Sequence, residues 1–123
     1  MPAKDLQQIS VETLVARFAK IGIAQDAAVL GGEIAKYNRL FGRMQQVSAE
    51  LKRRPGDQRR ALLALYDHPN MQVRLMAAIH TLAVAPAQAR AELRQIADAK
   101  WLVQSLDAGM TLRNLDWGVF KPT

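Results

Sequence analysis

Asp67-His68-Pro69-Asn70-Met71-Gln72-Val73-Arg74-Leu75-Met76-Ala77-Ala78-Ile79-His80-Thr81-Leu82 reads as a turn followed by a helix that is apolar on two sides. Pro69 lacks an N–H and restricts His68 to an extended conformation, so no helix continues through it. Asn70 is placed to cap the next helix by accepting a bond from an orphan N–H. Beyond the cap, Val73, Ala77, His80 and Val84 share one face, and Leu75, Ile79 and Leu82 share another. A helix apolar on two faces has to be covered on both. That is the position of an inner helix in a stack of helical hairpins.

Working outward, Arg54-Pro55-Gly56-Asp57 is a chain break, and Asp57 can cap a third helix running to about Tyr66. Leu62, Leu65 and Tyr66 would form its core face. The fourth helix should end near Ala85-Pro86. A fifth should run from Ala87 to Ala99, with Leu93, Ile96 and Ala97 inward. A sixth should start at the cap Ser105 and reach Val119, with Gly118 and Pro122 closing the chain. Upstream, residues 1–8 are expected as a loose arm. Ser10 caps a first helix that Gly22 ends. A long second helix, Gln25 to Lys52, carries the seam Leu30, Ile34, Tyr37, Phe41 and Met44, with Gly31-Gly32 as a kink.

The chain also repeats itself. A shift of 33 positions carries Val73, Ala77, His80 and Val84 onto Leu106, Met110, Arg113 and Trp117, and Leu75, Ile79 and Leu82 onto Ala108, Leu112 and Leu115. A shift of 31 carries Leu62, Leu65 and Asp67 onto Leu93, Ile96 and Asp98. On this reading Trp117, aligned with Val84, belongs to the core. Two repeats result, 57–85 and 87–119, preceded by a degenerate hairpin or cap over 9–54. All lie in one domain, 1–123.

Pro69, Asn70, Val73, Arg74, Ala77, Ala78 and Leu82 resemble the inner-helix pattern of HEAT repeats. The whole chain is similar to a family of small bacterial HEAT-like proteins known as a domain of unknown function. The likeness rests on Ala24-Gln25-Asp26, Tyr37-Asn38-Arg39-Leu40-Phe41, Asp67 to Leu82, and Gly118-Val119-Phe120-Lys121-Pro122-Thr123. It implies a fold and no activity. The expectation is an all-α right-handed superhelix of about six helices in three helical hairpins.

Composition narrows the functional classes. Half of the 123 residues are hydrophobic, as in a globular chain. The absence of cysteine rules out disulfides and thiolate zinc sites, and it suits a reducing cytoplasm. No window reaches the roughly 20 apolar residues of a membrane span. The net charge of +6 favours anionic partners, either a protein with an acidic patch or a nucleic acid. Neither a Gly-rich phosphate loop, nor a nucleophile elbow, nor a His-Glu-x-x-His pair is present, and the two histidines lack the spacing of a metal site. No cofactor or metal is expected.

Two basic features could meet an anion. Lys52, Arg53, Arg54, Arg59 and Arg60 bracket a turn that leads into a helix N-terminus. Lys36, Arg39 and Arg43 form a stripe along the second helix, which could extend the first cluster; the plainer reading of both is solvated surface. Trp101 stands in the loop before the sixth helix, as an anchor on the fold or as a partner contact. Structural roles are expected for Asn70 as a cap and for Arg74 bonded to Asp67 or Asp98. Non-catalytic binding of a protein partner fits best. Nucleic-acid binding by the Lys36 to Arg60 strip is the alternative. A HEAT-like base-excising enzyme, on the faint echo of Asp116-Trp117, ranks a distant third.

Overall fold

The structure is a computed structural model that describes residues 3–123, with side chains from Leu6 onward. It is all-α. Among the described residues there are five α-helices: α1 (Val11–Leu30), α2 (Ile34–Arg53), α3 (Met71–His80), α4 (Pro86–Asp98) and α5 (Leu102–Asp116). Two 3-10 helices, Ala3–Gln8 and Gln58–Asp67, complete the set. No described helix is long and apolar enough to cross a membrane. The chain divides into two compact units, one ending at Leu62 and one spanning Leu63–Thr123.

In the first unit, α1 and α2 form an antiparallel hairpin. The Ser10 hydroxyl accepts the Thr13 N–H at 3.1 Å and so caps α1. Gly22 does not end this helix. It lies buried within it, and α1 runs on to Leu30. The true stop is Gly31-Gly32, read from sequence as a kink. The Glu33 N–H donates to the Ala28 carbonyl at 2.9 Å and the Gly32 N–H to the Val29 carbonyl at 3.2 Å. That pair of bonds is a Schellman closure, and it needs a left-handed residue, which Gly32 supplies at φ +68°.

The core of this unit is Leu14, Phe18 and Ala28 from α1 with Leu40, Met44, Val47 and Leu51 from α2. Buried Gln25 directs its amide at the Met44 sulfur, 3.8 Å away. The seam expected on the second helix is therefore displaced: Met44 is buried, but Leu30, Ile34 and Phe41 are exposed. The covered seam is Leu40, Met44, Val47 and Leu51, the adjacent stripe on the same helix.

The segment expected as a loose arm is ordered in its described part. Ala3–Gln8 is a 3-10 helix with Leu6 buried, and residues 1 and 2 lie outside the described residues. It is held because the Arg54 guanidinium donates to the carbonyls of Leu6 at 2.9 Å and Ile9 at 2.6 Å.

Gln58–Asp67 was expected as an α-helix and is a 3-10 helix instead. Arg59, Leu62 and Leu65, spaced by three, are its buried residues. A 3-10 helix has three residues per turn, so this spacing stacks all three on one line.

In the second unit, the Asn70 side chain accepts the N–H groups of Gln72 at 2.9 Å and Val73 at 3.2 Å, capping α3 as expected. α3 stops at His80, short of the anticipated Ala85. The Thr81 hydroxyl donates back to the Ala77 carbonyl at 2.8 Å, and the Tyr66 hydroxyl lies 2.6 Å from Thr81 Oγ1. Pro86 opens α4 at its first position, where its missing N–H costs nothing. α4 buries Ala89, Leu93 and Ile96.

α5 starts three residues earlier than its expected cap. Ser105 sits in the first turn, where its hydroxyl accepts the Trp101 N–H at 2.5 Å and donates to the Ile96 carbonyl at 2.7 Å. Gly118, at φ +72°, ends α5 with a second Schellman closure onto Leu115 and Asn114.

Candidate functional site

The basic turn is largely committed to its own acids. Glu50 is buried and takes both Arg53, at 3.1 Å from Nε, and Arg54, at 2.6 Å from Nε. The Arg53 hydrogen bond, joined by Arg54, holds this carboxyl below its usual value despite its desolvation. Arg59 is buried and forks onto Asp57, with Nε 2.9 Å and Nη2 2.7 Å from the two oxygens. That pairing holds the Asp57 carboxyl low, and exposed Lys52 adds to the effect. Arg54 and Arg59 are thus structural ties. Arg53, Lys52 and Arg60 remain at the surface.

Lys36, Arg39 and Arg43 are exposed along α2, and none has an ion pair among the described residues. They do form one stripe, as expected. Arg74 is structural but with a different partner: its Nε donates to Glu92 Oε2 on α4 at 2.8 Å. Asp67 and Asp98, the partners expected from sequence, are exposed. Glu92 is favoured because α3 and α4 pack together, which carries Arg74 to a buried carboxylate rather than to a loop.

The largest departure lies on α5. Leu106 is 69% exposed, Met110 54% and Trp117 71%. Their repeat equivalents on α3, Val73 and Ala77, are fully buried. The opposite face behaves alike in both helices: Leu75 and Leu82 are buried on and just beyond α3, and Ala108 and Leu112 on α5. Trp117 was expected in the core. It falls at the C-cap of α5 and stays exposed there. Trp101, Leu102 and Val103 extend the exposed stripe. Arg113 lies over the Trp117 ring, 5.8 Å from its centroid. Lys100 and Leu102 both hold positive φ, +55° and +33°, in the turn that presents Trp101. Left-handed backbone in residues with side chains costs roughly 1–2 kcal/mol each, and such strain concentrates at binding sites.

Residues 12–116 match the model of the family described as Domain of unknown function (DUF2019). The chain belongs to this family. The DUF2019 chain is similar to a solved structure, the protein RPA1889 from Rhodopseudomonas palustris CGA009. The identity is 55%, the TM-score is 0.94, and the match covers 96% of this chain and 98% of that one. No curated protein matches the DUF2019 chain.

Sequence reasoning placed Leu106 and Met110 on an apolar face of the sixth helix and so missed them as surface residues, and it left Leu102 and Val103 in the preceding loop without a role.

Proposed function

We propose that this protein is a non-catalytic interaction module whose α5 face takes a helix of a partner protein. One observation carries the reading: the face built by Leu106, Met110 and Trp117 is open, whereas Val73 and Ala77, the counterparts of Leu106 and Met110 on α3, are buried. Exposed contiguous apolar surface with two tryptophans is the usual composition of a protein interface. Spacings of three and four along α5 suit helix-in-groove recognition. Arg113 beside Trp117, with exposed Lys100 and Lys121 near the two ends of the face, favours acidic residues on the incoming helix. The reading takes the two hairpins as HEAT-like repeats acting in the cytoplasm, and it assigns no cofactor.

The test is site-specific photocrosslinking from Leu106, with a control crosslinker at exposed Arg94 on α4, followed by reconstitution with the purified captured protein. The expected result is a partner whose affinity falls at least tenfold with Met110→Glu. A partner insensitive to that substitution, or crosslinks only to nucleic acid, would overturn the reading.

The stripe Lys36, Arg39 and Arg43, exposed and without an acidic partner among the described residues, supports a second reading in which the protein binds nucleic acid. Steep loss of affinity with salt is its signature. Base excision is not part of the proposal: Asp116 is exposed and paired with Arg90 at 3.0 Å.

A further inference from the structure

A cleft of about 320 Å³ lies within the first unit, lined by Leu6, Arg17, Lys20, Ile21, Arg43, Gln46 and Val47. Two helices build it by the same spacing. Arg17, Lys20 and Ile21 stand at i, i+3 and i+4 on α1, and Arg43, Gln46 and Val47 do so on α2. Each trio therefore shares one helix face. In the antiparallel hairpin the two trios run past each other, with the apolar members inward and the cations outward. Leu6, secured through the Arg54 bond to its carbonyl, closes the floor with Val47, and both are buried.

The electrostatics are one-sided. Among the described residues, three cations line the cleft and no acid does. None of Arg17, Lys20 and Arg43 has an ion pair or hydrogen bond among the described residues. Three unneutralised cations about an apolar floor repel one another, and an anion relieves that repulsion. In the basic turn of the same unit, by contrast, Arg53, Arg54 and Arg59 are each paired with an acid.

We infer that this cleft binds a small amphiphilic carboxylate, with its head on Arg17, Lys20 and Arg43 and its tail over Leu6, Ile21 and Val47. The volume stands at the lower end of small-molecule sites, which begin at roughly 300 Å³. It suits a chain of about six to ten carbons rather than a large cofactor. Guanidinium groups engage a carboxylate through two parallel bonds, and the Gln46 amide adds a neutral donor. The apolar floor distinguishes this site from a bare phosphate contact, which would leave Ile21 and Val47 unused. The site shares no residue with the α5 face, so either assignment can fail alone.

The experiment is calorimetric titration of the full chain with octanoate, acetate and octanol at low salt. Octanoate should bind at least tenfold more tightly than either of the others, since acetate lacks the tail and octanol the charge. Arg43→Ala and Lys20→Ala, both at exposed positions, should each weaken octanoate at least fivefold with unchanged thermal melts; Arg94→Ala should change nothing. Equal affinity for octanol and octanoate, or no response to either cleft substitution, overturns the inference. So does binding of an acetylated Glu-Leu-Glu-Leu peptide, or of phosphatidylglycerol vesicles, through these residues in the absence of octanoate binding. Those outcomes would make the cleft a peptide groove or a membrane contact.

Discussion

Arg54, at the end of α2, donates through Nη2 to the backbone carbonyl of Leu6, 48 residues earlier, at 2.9 Å. The same guanidinium holds the Ile9 carbonyl and the buried Glu50 carboxylate. One side chain thus ties the N-terminal 3-10 helix to the end of the hairpin and neutralises the unit's buried acid. Its neighbour Arg53 shares Glu50 but projects outward, with its side chain 55% exposed against 17% for Arg54.

The two arginines should therefore behave differently. Arg54→Ala removes three charge-assisted bonds and leaves Glu50 half-neutralised, and should cost about 2–3 kcal/mol. Arg53→Ala should leave the denaturation midpoint close to wild type. Urea unfolding of the two variants settles the matter, and equal effects would contradict the distinction. Sequence had placed both on the solvated surface.

Acid should weaken the fold through Glu50. Its folded pKa lies below the ordinary 4.5, so its contribution is complete above that value and is lost as pH falls through the folded one. Glu50→Gln should melt below wild type at neutral pH, with the gap closing in acid. Asp107 has the opposite sign, because burial raises its carboxyl pKa. Its contribution is present in acid and lost as pH rises through the folded value. Asp107→Asn should accordingly melt above wild type at neutral pH and merge with it in acid. Thermal melts from pH 7 down to about 3 read both curves.

Glycines 32 and 42 make a paired test of backbone. Gly32 sits at φ +68° in the closure of α1, with open space where a Cβ would go. Gly32→Ala should cost roughly 1–2 kcal/mol from conformation alone. Gly42 lies within α2, also facing open space. Gly42→Ala should stabilise by about 1 kcal/mol through helix propensity. If Gly32→Ala were neutral in chemical denaturation, the left-handed closure would not exist in solution.

How far the sequence was legible follows from how local each determinant is. The Asn70 cap and the Pro69 stop are settled within four residues, and both read correctly. The end of α1 did not, because Gly22 and Gly31-Gly32 carry the same local signal; only the closing bonds from Gly32 and Glu33 back to Val29 and Ala28 distinguish them. The 3-10 character of Gln58–Asp67 was hidden because Leu62 and Leu65 fit either helical period. Arg74 was rightly read as structural, but Glu92 as its partner depends on how α3 meets α4. Apolar spacing on α2 and α5 marked faces that could be covered. It could not say that Ile34, Phe41, Leu106 and Met110 are left open, since covering depends on neighbours far along the chain.

Two positions 33 residues apart supply the sharpest test. The 33-position shift aligns Met110 with Ala77, yet Ala77 is fully buried and Met110 is 54% exposed. Glutamate at each position asks whether that difference is real. Ala77→Glu forces a carboxylate without a partner into the interior, and the penalty of several kcal/mol should unfold the second unit. Met110→Glu places the same charge in water, and stability should stay within about 0.5 kcal/mol of wild type. Circular dichroism melts report the contrast directly. Should both variants unfold, α5 would be covered in solution, by another copy or by a different packing, and the open face would be lost with it. Should both fold, Ala77 would not lie at the core of its unit.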